Sequence, residues 1–351
     1  MPGPGAGRTA TAIIPLGFGP PAPAALARAL VDAARFGFTE LLVPVIPELL
    51  AEAQQAAAAS GILPHGAQVA IIPCAARTAG VALADIGGRI ATDVLLVDPA
   101  RTVEANWLDL PAGKHAAVLS VSGAADALAP AGLAYLTPDT LAALPPEADL
   151  PGLLAHLLHQ PDTALWHLPA EVTRPARANE PTRPPRPALF LDRDGTLNED
   201  YGYVSDPDRL VLLPGAAAAV KRANDLGWYV FLVTNQSGVG RGYYAEAQAA
   251  ACNAALQEML RIDGAHLDDM RYAADHPDAI EPRYRVPTGW RKPEPGMLTD
   301  LMAHWPVMRE KSLMVGDKDS DVAAGEAAGI RGLLFNGPDL DAALAPQMAV
   351  L

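Results

Sequence analysis

Two aspartates, Asp192 and Asp194, stand two residues apart directly after the apolar run Ala188-Leu189-Phe190-Leu191, and Gly195-Thr196 follows them. One such carboxylate can attack phosphorus and form an aspartyl-phosphate while its neighbour moves protons. Taken alone the pair reads equally as a turn, because Asp-Gly is a common turn former. Three more stretches shift the balance. Thr234-Asn235-Gln236-Ser237-Gly238 follows a second apolar run, and its hydroxyls, amides and flexible backbone can donate to phosphate oxygens. Arg291-Lys292-Pro293 offers a bidentate fork and a point charge for a phosphoryl group. Gly316-Asp317-Lys318-Asp319-Ser320-Asp321 follows a third run, and carboxylates there can complete an oxygen shell for Mg²⁺. Their joint occurrence points to phosphoryl transfer, which depends mostly on positioning and charge neutralisation.

Such residues converge only if their strands end on one side. In open parallel sheets, ligands bind beyond the carboxyl ends of the strands. The runs 188–192, 229–234 and 312–317 are predicted as strands, with helices over 216–226, 245–261 and 295–304. The first half repeats the alternation, with runs 12–16, 40–45, 68–72 and 94–98 and alanine-rich helical stretches at 24–36 and 46–60. Strand–helix alternation predicts parallel sheets covered on both faces: an α/β fold in two doubly wound, three-layer domains. Residues 169–187, PAEVTRPARANEPTRPPRP, are rich in proline and arginine and are predicted as a semi-rigid exposed linker between domains at 1–168 and 188–351.

Composition narrows the functions. The chain has 351 residues, is 50% hydrophobic and 19% charged, which excludes a disordered chain. Two cysteines, Cys74 and Cys252, exclude a disulfide scaffold and a four-cysteine zinc site. With 26 basic against 40 acidic side chains the net charge is −14, so phosphate backbones repel the chain and no nucleic-acid partner is expected. No secretory signal is read, and no apolar stretch reaches the roughly 18 residues of a membrane helix. A cytoplasmic protein without a membrane partner is expected. Its oligomeric state is left open.

The four stretches, in this order, resemble the motifs of the haloacid dehalogenase (HAD) superfamily of phosphohydrolases, over essentially residues 188–335. The stretches 190–204, 234–242, 291–297 and 315–321 resemble more narrowly its heptose bisphosphate phosphatase branch. The resemblance implies a HAD-like Rossmannoid domain and a small phosphosugar substrate. It makes Asp192 the nucleophile and Asp194 the acid and base, with Thr234 and Lys292 on the phosphoryl oxygens. Mg²⁺ would be held by Asp192, the backbone carbonyl of Asp194, and Asp317. Asp200, Tyr203, Asn235, Gln236, Ser237 and Arg291 are the implied substrate contacts. The inserts between motifs are short, so no large cap is expected. Many members of this branch bind zinc just before the Arg-Lys-Pro motif. Here those positions are Ala273, Asp275, Thr288 and Trp290, which lack the usual nitrogen and sulfur donors, so zinc is not expected. The alternative within this class is a histidinol-phosphate or other small phosphomonoester phosphatase.

Residues 1–168 are similar to sugar-1-phosphate nucleotidyltransferases, a GT-A-like fold, at Thr11–Gly17, Ala34–Val43, Arg77–Leu83, Val94–Asp98 and Asn106–Leu110. The departures are large. The glycine-rich phosphate loop is replaced by Leu16-Gly17-Phe18-Gly19-Pro20-Pro21-Ala22-Pro23, whose prolines remove the amide donors a phosphate cradle needs. This half has one lysine, Lys114, far along the chain. Asp98 matches a metal-binding aspartate, but the later partner is replaced around Trp166-His167-Leu168. A catalytically dead relative is expected. A bifunctional phosphatase and nucleotidyltransferase, or a non-catalytic scaffold, are the competing classes.

Overall fold

The computed structural model describes residues 11–18, 23–110, 115–121, 128–160, 163–169, 172–177, 179 and 181–351. Lys114 and residues 19–22 of the proline-rich loop lie outside the described residues. The described chain forms two compact units, one up to Arg183 and one from Pro184. Among the described residues no helix is long and apolar enough to cross a membrane.

The first unit contains β1 (Thr11–Ile13), β2 (Glu40–Val45), β3 (Gln68–Pro73), β4 (Val94–Val97), β5 (Arg101–Val103), β6 (His115–Val121), β7 (Leu128–Leu136), β8 (Thr163–Pro169) and β9 (Thr173–Pro175). Seven of them make one sheet in the order β3-β2-β1-β4-β7-β6-β8. The expected all-parallel sheet is corrected here. Strand β7 runs antiparallel to both β4 and β6, with Val94 opposite Leu136 and His115 also opposite Leu136. Strands β1–β4 are buried apolar runs, apart from the edge strand β3, and the helix Pro23–Arg35 buries Leu26, Leu30 and Ala33. The linker is also more structured than expected. Strand β9, inside it, pairs antiparallel with β5, and Arg183 donates to the carbonyls of Ser60 and Ile62.

The second unit is a five-stranded, wholly parallel sheet of β10 (Ala188–Leu191), β11 (Tyr229–Asn235), β12 (Asp269–Ala273), β13 (Leu313–Gly316) and β14 (Arg331–Leu334), in the order β12-β11-β10-β13-β14. Alternating side chains divide between its faces. Leu189, Leu191, Val230, Leu232, Leu313 and Val315 pack against the helices Ala216–Asp225, Glu246–Ile262 and Leu340–Met348. On the opposite face Phe190, Tyr229 and Phe231 form an aromatic cluster with Trp305, ring centroids 4.9–5.9 Å apart. Burying both faces explains why β10, β11 and β13 read as unbroken apolar runs. Parallel pairing puts the carboxyl ends of these three adjacent strands side by side, and the polar motifs begin there.

Candidate active site

Strand β10 delivers Asp192 to the sheet's end, and the Asp192 amide still donates to the Val315 carbonyl at 3.0 Å. The chain then reverses over Gly195, whose φ of +84° favours glycine. Space demands it too: a Cβ there would lie 2.4 Å from the Asp317 carboxylate. Gly316 is pressed in the same way by the Asp321 carboxyl, 2.2 Å from where its Cβ would be. The two glycines let the ends of β10 and β13 bring their carboxylates together. Oxygens of Asp192, Asp317 and Asp321 lie within 4.8 Å of one another.

Lys292 answers this charge from a separate loop. Its ammonium lies 2.7 Å from Asp192 Oδ1 and 2.6 Å from Asp321 Oδ1, and donates to the Val233 carbonyl at 2.8 Å. Those three bonds use all three donors of a lysine. Lys292 is itself held by Asn235, whose Oδ1 accepts from the Lys292 amide at 3.0 Å and whose Nδ2 donates to its carbonyl at 3.1 Å. One buried cation does not balance the cluster. Burial pushes the Asp317 carboxyl up, with Asp192 and Asp321 adding to the rise and Lys318 opposing it. Burial likewise raises Asp321, against the pull of Lys292.

These groups face a cleft of about 520 Å³. It is lined by all of the expected catalytic residues, Asp192, Asp194, Thr234 and Lys292, and by Asp200, Tyr203, Asn235, Gln236, Ser237 and Arg291. Asp317 is not among the lining residues but joins the site through the carboxylate cluster. Asp321 lines the cleft and joins the cluster, which widens the expected metal set. Two expected substrate contacts have their amides committed inside the wall. Asn235 is bonded to the Lys292 backbone. Gln236, 1% exposed, donates to Asp194 Oδ2 at 3.1 Å and Thr234 Oγ1 at 2.9 Å, and accepts from Tyr244 and Arg193. Tyr203 keeps a φ of +52° at the rim, where Arg241 donates to its hydroxyl at 2.8 Å. That conformation is uncommon for a residue with a side chain.

Sequence reasoning missed Arg193, Tyr244 and Lys318. Arg193 carried a signal, a charged residue between two aspartates at the end of a buried strand. Lys318 carried one too, standing beside Asp317 in the last motif, whereas Tyr244 carried none, since it joins the site only through space.

The donors suit a hard cation. Among the described residues Asp317 Oδ1 is buried without a hydrogen-bond donor, and carboxylate oxygens of Asp192 and Asp321 lie nearby, the ligands Mg²⁺ takes. The four positions matched to zinc ligands offer a poorer set. Ala273, Asp275, Thr288 and Trp290 line a second hollow of about 470 Å³, in which Asp275 is the one acidic lining residue among those described. Thr288 closes that loop instead, donating to Asp275 Oδ1 at 2.9 Å and accepting from the Trp290 amide at 3.1 Å.

A HAD-hydrolase-like family model matches residues 289–343. The chain is 46% identical over 158 residues to a D-glycero-beta-D-manno-heptose-1,7-bisphosphate 7-phosphatase of Rhodopseudomonas palustris, covering 45% of this chain and 88% of that protein. It is 39% identical over 143 residues to a D-glycero-alpha-D-manno-heptose-1,7-bisphosphate 7-phosphatase of Burkholderia mallei, covering 41% and 76%. A crystal structure of D,D-heptose 1,7-bisphosphate phosphatase from B. bronchiseptica, complexed with magnesium and phosphate, matches with 30% identity and a TM-score of 0.40, over 46% of this chain and 86% of that one.

Proposed function

The chain belongs to the HAD-type phosphatase family of the D-glycero-D-manno-heptose-1,7-bisphosphate 7-phosphatases, and we propose that it removes the 7-phosphate of heptose 1,7-bisphosphate. The observation that carries this is the buried Lys292 ammonium, shared between Asp192 and Asp321 beside Asp317 at the floor of the cleft.

Asp192 is the nucleophile. Its oxygen bonds to phosphorus as the bond from phosphorus to the sugar oxygen breaks. Asp194 gives its proton to the departing alkoxide. It then takes one from the water that cleaves the aspartyl-phosphate, which returns both carboxylates to their starting state. Lys292 and the Thr234 hydroxyl hold phosphoryl oxygens. Asp192, Asp317 and the Asp194 carbonyl, with Asp321 in the same cluster, would hold Mg²⁺, which when bound offsets the repulsion between a carboxylate and an anionic phosphate. Asp200, Tyr203, Ser237 and Arg291 face the sugar. Asn235 and Gln236 serve from inside the wall by fixing Lys292 and Asp194.

The first unit is, on the same reading, a nucleotidyltransferase-like domain without its chemistry. In its mixed sheet Asp98 directly follows β4. However, Asp98 Oδ1 accepts from the Ala100 amide at 2.9 Å. Among the described residues it belongs to no group of three or more acidic, histidine or cysteine side chains that could share a cation.

The test is phosphate release with Mg²⁺ and with EDTA, from both anomers of heptose 1,7-bisphosphate, histidinol phosphate and fructose 1,6-bisphosphate. A Mg²⁺-dependent preference of at least about tenfold for a heptose anomer, some 1.4 kcal/mol of transition-state discrimination, is expected. Equal rates on all four reject the substrate, and activity that survives EDTA rejects the metal.

A further inference from the structure

Arg193 has no place in the reaction as described above, yet it is the most completely enclosed charge beside the cleft, at 0% exposure. It lies between the two aspartates but, unlike them, is not among the residues that line the cleft. A buried guanidinium is costly unless its donors are met. The way these are met is specific. Nε donates to Asp194 Oδ1 and Nη2 to Asp194 Oδ2, each at 3.0 Å, a two-point grip on the neighbouring carboxylate. Nη2 also donates to the Val204 carbonyl at 2.7 Å and to Gln236 Oε1 at 3.2 Å, while Nη1 donates to Asn253 Oδ1 at 3.1 Å. Asp194 receives two more bonds, from Asn198 Nδ2 at 3.0 Å and Gln236 Nε2 at 3.1 Å.

A two-point contact sets the plane of a carboxylate as well as its place. A carboxylate that must face first a leaving oxygen and then a water depends on that plane, because misplacement by an ångström is costly in rate. Val204 closes the stretch carrying Asp200 and Tyr203, both of which line the cleft. The same guanidinium therefore ties the proton-transfer group to the segment that faces the sugar. We propose that Arg193 is a positioning residue that orients the Asp194 carboxylate to give a proton to the leaving sugar oxygen and to take one from the water that follows.

This inference rests on the phosphatase reading, and leaving-group dependence tests it. A sugar alkoxide must be protonated as it departs, whereas p-nitrophenolate departs without a proton. Wild type, Arg193→Met and Arg193→Lys are compared on heptose 1,7-bisphosphate and p-nitrophenyl phosphate, reading the first burst of alcohol or phenol release. With Arg193→Met the burst from the sugar ester should fall about 10²-fold or more, and that from p-nitrophenyl phosphate by less than about tenfold. Arg193→Lys keeps the charge without the two-point grip and should fall between, with KM for the sugar unchanged within about threefold. Equal losses on both substrates assign Arg193 a merely structural role and overturn the inference, as does full activity in Arg193→Met. Failure of both variants to fold overturns it as well. A wild type inactive on both substrates rejects the phosphatase reading itself, and the inference falls with it.

Discussion

The two sheets place an aspartate in the same position to different effect. Asp98 follows the buried strand β4 and Asp192 the buried strand β10, and the two are 6% and 5% exposed. Around Asp192 gather Lys292, Asp317 and Asp321, from two other segments. Around Asp98 the nearest polar support is local, the Ala100 amide two residues on, with the charge of Arg101 nearby. Burial pushes the Asp98 carboxyl up, against the opposing pull of the Ala100 amide and the Arg101 charge. The mouth of a parallel sheet makes a site available; convergence of groups from several strands makes it reactive.

Three substitutions probe this contrast. The largest effect is expected of Asp192→Asn, which keeps the shape and an acceptor for Lys292 but removes the nucleophile. Turnover should fall by about 10⁴-fold or more, and phosphate release at near wild-type rate in this variant would end the covalent route. Next comes Lys292→Met. It leaves Asp192 and Asp321 buried side by side without their cation, at a cost of about 3–5 kcal/mol in unfolding free energy. Mg²⁺ should restore more melting temperature to this variant than it adds to wild type. An equal response to Mg²⁺ would mean that lysine and metal do not share these carboxylates.

The smallest effect is expected of Asp98→Asn, which should leave phosphatase activity unchanged. The folded-state carboxyl of Asp98 is raised, so the native state binds this proton more readily than the unfolded chain. Its contribution to stability is then favourable in acid and is lost as pH rises from the unfolded value through the folded one. The amide removes that loss and keeps an acceptor for Ala100. The variant should melt about 1–3 °C higher at pH 7, with the gain fading toward pH 4. A loss of phosphatase activity here would erase the contrast between the two aspartates.

Legibility differed between the units for a physical reason. In the second unit β10, β11 and β13 are buried on both faces, so each is a run of apolar residues closed by a polar motif. The edge strands β12 and β14, DMRYA and RGLL, are only half-buried and carry too mixed a pattern to stand out. In the first unit β1–β4 were readable, but β6–β8 and the reversed direction of β7 were not. Strand direction is a property of pairing, and a strand reads the same locally whichever way its neighbour runs. Strand β9 was hidden by the prolines and arginines around it, because it pairs along β5 with only Thr173 of its three residues fully buried.

The amino-acid sequence by itself picked out the candidate side chains and placed most of them just beyond strand ends, since both follow from residue type, short spacing and apolar runs. Only the tertiary structure decided how those side chains are spent. Lys292 is divided between Asp192 and Asp321, Gln236 is turned inward onto Asp194, and Arg193 grips Asp194 from behind, while Asp98 is met by the Ala100 amide two residues on. Ion pairs and hydrogen bonds form over about 3 Å through space, and residues tens of positions apart come within that range only after the strands have paired.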